Sequence, residues 1–223
     1  MPSYIVRKTN LPEKLTCDWT APAWQVADPL PINNFRPESG THRPKTQARL
    51  LYDECGIHGI FQVEDRYVRC VRSGFQSEVW KDSCVEFFVK PKSDRGYFNF
   101  EFNCGGSLLC NYITNHERIF DGFKEFTKLP IDLGQAVRVV SSLPGTVEPE
   151  IQTPITWSLK FFIPFQVLES FIGNLDEVSG SRWEANFFKC ADETSHPHWA
   201  AWAHVDELNF HLPRCFGTLR FET

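Results

Sequence analysis

Phe98, Phe100 and Phe102 alternate with Tyr97, Asn99, Glu101 and Asn103. A period of two is the signature of a strand with one face against a core and the other polar. Upstream, Val85, Phe87 and Val89 fall on one side of a second strand. Trp80, Asp82, Cys84, Glu86 and Phe88 share the other side if that strand runs unbroken from the tryptophan. Between the two runs, Lys92-Ser93-Asp94-Arg95 lies between Pro91 and Gly96 and reads as a hairpin loop. Closing the hairpin there sets Phe88 opposite Asn99 and Glu86 opposite Glu101. Directly opposed Cβ atoms stand about 4.5–5.5 Å apart, so two ionised carboxylates at those positions need a cation, a shared proton or a polar ligand. A slip of one residue would dissolve the pairing.

The rest of the chain supports the same class. The 223 residues hold 20 Phe and 7 Trp but one Met, a bias toward pleated surfaces rather than helices. One domain spanning 1–223 is expected. Further strands are read at Tyr4–Lys8 (an edge strand), in a hairpin of 46–53 with 56–65, at 136–142 paired with 157–163, at 182–190 and at 219–221. The proline-rich stretch 27–46 reads as a surface connection. The stretch 114–129 reads as a loop or short helix whose Phe120, Phe123 and Phe126 cap the core. Pro164–Phe171 is the one short helix, opened by its proline and carrying Phe165, Leu168 and Phe171 at helical spacing. Many strands, short turns and one minor helix favour an all-β fold, a β-sandwich.

Net charge of −5 without a basic run argues against a nucleic-acid groove, and no run reaches the about 18 apolar residues of a membrane span. The N-terminus shows no signal-like apolar core, so the chain as it stands is expected to be cytoplasmic, or secreted or periplasmic if a signal was removed. Eight cysteines without a C-x-x-C pair read as buried free thiols. Asp53, Glu54, Glu64 and Asp65 are candidate calcium ligands as well as ordinary solvated acids.

Six segments occur in order: T-Q-A-R-L-L-Y-D (46–53), V-W-K-D-S-C-V-E-F-F-V (79–89), Y-F-N-F-E-F-N (97–103), W-S-L-K-F-F-I-P-F (157–165), R-W-E-A-N-F-F-K-C (182–190) and H-W-A-A-W (198–202). With the closing N-F-H-L-P-R-C-F-G-T-L-R-F (209–221), the set resembles the carbohydrate-binding module family 9-like domains found in xylanases and related polysaccharide-degrading systems. The resemblance implies a two-sheet antiparallel sandwich of the immunoglobulin or jelly-roll kind, non-catalytic binding of the end of a plant-type glycan between two tryptophans, and structural calcium. Trp80 with Glu86 fits the first tryptophan and its acidic neighbour; the second maps to Trp199 or Trp202. Independently of the family, a pyranose has apolar C–H faces and a rim of hydroxyls. Trp80, Asp82, Glu86, Asn99 and Glu101 have matching chemistry, so a mono- or oligosaccharide is the expected partner.

Two rivals stand beside this reading. Glu86 and Glu101 could form a retaining glycosidase pair, whose carboxyl groups stand about 5–5.5 Å apart. His196, His198, His204 and His211, with Asp192 or Glu193, could hold a transition metal, although their spacing matches no recognised metal motif.

Overall fold

The computed structural model describes residues 1–10, 12–120 and 122–223. Among them, fourteen strands share one hydrogen-bonded sheet, eleven of them along a single path and three pairing off it, and a separate two-stranded sheet pairs Val147–Ile151 with Val68–Cys70. The main path runs Gly122–Lys128, Leu108–Ile119, Tyr97–Asn103, Cys84–Lys90, Arg182–Cys190, Gly217–Phe221, Ser3–Lys8, Lys45–Tyr52, Gly56–Asp65, Ile155–Pro164 and Arg138–Ser141. The protein is therefore mostly β, as expected, but the sheet is mixed.

The exception to antiparallel pairing is the first strand. Ser3–Val6 runs parallel to Thr218–Phe221, and Arg7 and Lys8 run parallel to Leu51 and Tyr52. This strand was expected at an edge and is instead the seam between the two arms of the path. Its alternation of buried Tyr4 and Val6 with exposed Ile5 reports only which face is covered. Its neighbours come from the opposite end of the chain and from the 45–52 strand.

Across the core the two arms meet through aromatic rings. Phe87 and Phe102 stack on Phe161 at 5.6 Å and 5.2 Å, and Phe87 also stacks on Phe187 of its neighbouring strand at 5.0 Å. The 84–90 and 97–103 strands pair in the expected register, with Glu86 opposite Glu101 and Phe88 opposite Asn99. The 46–53/56–65 hairpin and the 138–141/159–162 pairing also form.

Gly59 lies opposite Phe161 in the 56–65/155–164 pairing, and its missing side chain leaves room for that ring. A Cβ at this position would stand 2.1 Å from Phe161 Cζ. Gly59→Ala is therefore expected to cost about 1–3 kcal/mol of unfolding free energy through overpacking, measured by urea denaturation.

Three further expectations are corrected. The 114–129 stretch forms strands rather than a loop or helix: Leu108–Ile119 and Gly122–Lys128 pair as a hairpin with register shifts between Phe123 and Phe126. Two α-helices are present among the described residues, Ile131–Ala136 and the expected one at Phe165–Ile172. The outer face of the 97–103 strand is not wet, since Tyr97, Asn99 and Glu101 are all buried. Phe88, Tyr97, Phe188, Leu212 and Phe216 form a second apolar cluster over that face. The segment after Ala201 lies across it, leaving a cavity at one end.

Candidate functional site

The cavity has a volume of about 1040 Å³, and Trp80 and Trp199 both line it. Its floor is the outer face of the hairpin: Glu86, Asn99 and Glu101 line it together with Cys190. Phe123 and Phe210 supply apolar wall, and Arg118 and His211 supply polar groups.

Trp80 sits in a 3₁₀ turn, Val79–Lys81, just before the 84–90 strand. The turn is tied from both sides. The Trp80 carbonyl accepts from the Asp192 amide at 3.2 Å, and the Asp82 carboxylate accepts from the amides of Val71 and Arg72 and from Asn103 Nδ2 at 2.9–3.1 Å. Trp199 enters from the short strand Trp199–Ala201, where it pairs with Cys190. Its indole Nε1 donates to Asp192 Oδ1 at 2.8 Å, which fixes the ring plane. Both tryptophans are half-buried, so each has an apolar face available to the cavity.

The floor is acidic but held close to neutral. Burial pushes the Glu86 carboxyl well above the usual carboxylate range, with the Cys190 thiol and Glu101 adding to the effect. Burial likewise lifts Glu101 to about 8, opposed by the Asn99 amide. Asn99 Nδ2 donates to Glu101 Oε1 at 2.8 Å while Asn99 Oδ1 accepts from the Asn111 amide at 2.6 Å, so the asparagine is oriented from both ends. Asp192 is also raised by burial, opposed by its bond from Trp199. Such groups can donate as well as accept, which suits vicinal hydroxyls. Opposite the acids, the Arg118 guanidinium stacks 4.2 Å over Phe123. His211, kept neutral by burial, shares a 2.9 Å hydrogen bond with the Tyr97 hydroxyl.

Residues 24–221 match the sequence model of carbohydrate-binding family 9. The chain belongs to this family. A candidate carbohydrate-binding protein from Bacteroides uniformis has a similar structure, with a TM-score of 0.85, 28% identity and 99% of each chain covered. A family 9 module from Caldicellulosiruptor kristjanssonii, solved with cellotriose, gives 0.64 at 12% identity, covering 99% of this chain and 94% of that one. The same kind of module solved with glucose gives 0.65 at 12% identity, covering 99% and 96%. No curated protein matches the chain.

Within this family 9 domain the structure brings Trp80, Glu86, Asn99, Glu101 and Trp199 together around one cavity. It places two of the expected residues elsewhere. Asp82 is fully buried beneath the Trp80 turn, because the strand starts only at Cys84 and the expected alternation stops there. Trp202 is buried in the core, edge-on to Phe187 at 5.7 Å and covering Gly217. Asp192, Arg118, Phe123 and Phe210 were not expected at a sugar site. Only Asp192 carried a sequence signal, its position a few residues before Trp199.

The rival sites do not assemble. His211 belongs to the cavity, whereas His196 stacks on Tyr67 at 3.5 Å and His198 is buried beside His42. Glu193 pairs with Arg72 and Lys81 instead of joining them. Each candidate calcium ligand has a basic partner: Asp53 with His58, Glu54 with Lys8, Glu64 with Lys45, and Asp65 with His42 and Lys189. Calcium needs about 6–8 convergent oxygens, and this arrangement does not fit that cage. A retaining glycosidase needs one ionised carboxylate as nucleophile, and burial here disfavours ionisation of both Glu86 and Glu101. Family 9 is a family of carbohydrate-binding modules, consistent with that chemistry.

Proposed function

We propose that the cavity binds the terminal residue of a β-linked glucan or related plant oligosaccharide, clasped between the indole rings of Trp80 and Trp199. The single observation that carries this reading is the placement of two half-buried tryptophans in the wall of one cavity that is also lined by buried, oriented polar groups. The indoles match the apolar faces of a pyranose, and Glu86, Asn99 and Glu101 match its hydroxyl rim. The cellotriose and glucose bound by the Caldicellulosiruptor modules support a glucose-type ligand here. A two-sheet antiparallel description suits each arm of the path apart from the parallel seam strand.

Isothermal calorimetry against glucose, cellobiose, cellotriose and xylo-oligosaccharides tests the proposal. Saturable binding of at least one glucan oligomer is expected, with little gain beyond the length the cavity can enclose. Absence of binding to every neutral sugar in the panel overturns it.

A further inference from the structure

The floor of the cavity carries a second kind of chemistry. Cys84 and Cys190 lie directly opposite each other in the antiparallel pairing of Cys84–Lys90 with Arg182–Cys190. Glu86 is two residues along the same strand face, and its Oε1 lies 3.1 Å from Cys190 Sγ. Two thiol sulfurs and a carboxylate oxygen thus lie within 4.8 Å of one another, and it is the one such group of three His, Cys, Asp or Glu ligands among the described residues. All three side chains are buried, while Glu86 and Cys190 also reach the cavity wall.

We propose that Cys84, Glu86 and Cys190 form a zinc site with one open position facing the cavity. Zinc–sulfur bonds of about 2.3 Å and zinc–oxygen bonds of about 2.0–2.2 Å in a tetrahedron separate the ligand atoms by about 3.4–3.8 Å. The observed ligand atoms, 3.1 Å apart between Cys190 Sγ and Glu86 Oε1 and all within 4.8 Å of one another, bracket that spacing. Two sulfurs favour zinc over calcium or magnesium, which prefer all-oxygen shells.

Charge points the same way. Cys84, Cys190, Glu86 and the opposed Glu101 place four acidic groups on one sheet face. Among the described residues no lysine or arginine makes an ion pair with either glutamate. The nearby Lys189 ammonium bonds to the Cys190 carbonyl and pairs with Asp65 instead. Binding Zn²⁺ releases the two thiol protons and the Glu86 proton to solvent, and no electrons move. Glu101, oriented by Asn99, remains beside the ligand set as a hydrogen-bond partner for a water or hydroxyl in the open position.

The test uses the untagged full chain, freed of metal by chelation and kept reduced with a phosphine. Titration with zinc chloride followed by calorimetry is expected to show about one equivalent per chain. Substitution with Co²⁺ should give a thiolate-to-cobalt charge-transfer band. Cys190→Ser and the near-isosteric Glu86→Gln should each weaken zinc binding by about 10-fold or more, whereas Cys55→Ser, at an exposed cysteine, should not. Near-ultraviolet circular dichroism reports whether each variant remains folded, and Glu86→Gln keeps the test decisive if a cysteine variant does not. Failure to bind zinc, bound cobalt without the band, or undiminished binding in a folded Cys190→Ser or Glu86→Gln each overturns the proposal. The site does not depend on sugar binding, so the glycan panel and the metal titration can fail separately.

Discussion

Trp80→Ala should weaken glycan binding by about 30- to 150-fold, equivalent to about 2–3 kcal/mol, with no comparable loss of stability. The ring is half-buried and lines the cavity, resting on the small buried cluster of Val79, Cys84, Leu109 and Cys190 and outside the main core. The turn that carries it is held by backbone and Asp82 bonds that do not use the indole. Truncation therefore removes a stacking face from the ligand and leaves the turn in place. Calorimetry with the best ligand of the panel, alongside a urea melt, checks both halves. Unchanged affinity would mean that the sugar does not lie against this ring. Trp202→Ala provides the contrast: that indole packs on Phe187 in the core, so its removal should cost about 3–5 kcal/mol of stability.

Asp65→Ala should destabilise the fold by about 3–5 kcal/mol, the typical cost of stranding the other half of a buried ion pair. Asp65 and Lys189 have side-chain exposures of 1% and 0%, with 3.8 Å between Oδ2 and Nζ. The carboxylate also takes Nε2 of His42 at 2.8 Å and the Arg66 amide at 2.7 Å. Without it the ammonium retains only the Cys190 carbonyl among its hydrogen bonds. Adding Lys189→Met should recover most of the loss, because a fully apolar pair no longer buries a charge. Urea melts of the single and double variants decide the matter.

The same cluster makes stability depend on pH through His198. Burial, with Lys189 adding to it, lowers the folded pKa of His198 to about 3. The unfolded value is about 6.5, so between these limits the unfolded chain binds the extra proton. The contribution is complete above about pH 6.5 and declines at up to about 1.4 kcal/mol per unit as pH falls toward 3. For Asp65, burial alone would raise the pKa, but Lys189 and His42 outweigh it and hold the carboxyl below its usual range. Its contribution is present above the unfolded pKa of about 3.9 and is lost as pH falls through its lower folded pKa. Over pH 7.5 to 5 the raised Glu86 and Glu101 oppose the His198 trend, since there the folded state holds their protons, while buried His211 adds to it. The comparison of the wild type with His198→Asn reads this histidine, and the variant should lose less stability, or gain more, between pH 7.5 and 5.

The hairpin at the centre of the site was legible because alternation and turn chemistry act over short distances. Phe98, Phe100 and Phe102 name the core face, the Lys92–Arg95 loop sets the register, and Glu86 opposite Glu101 follows. Trp199 and Trp202 show where that reasoning stops. They are three residues apart, so in an extended strand they point to opposite faces, and only one can meet the cavity. Which one does is decided by Trp199 pairing with Cys190, a contact the local pattern does not contain. Asp82 was misplaced because the outward pattern was continued through a 3₁₀ turn. The 114–129 stretch was misread because register shifts between Phe123 and Phe126 break the strand period, leaving phenylalanines at intervals of three that mimic a helix.

The seam strand carries a consequence for biosynthesis. Ser3–Val6 is the first strand of the domain to be made, and its parallel partner, Thr218–Phe221, is the last. Among the described residues the first strand's other ladder is the two-residue pairing with Leu51 and Tyr52. Until the C-terminal strand leaves the ribosome tunnel, the leading segment has little to hold it and the neighbouring edge of Arg182–Cys190 stays open. Completion of this domain thus waits on synthesis of its own last strand, so that the first made of its strands is among the last to find its place.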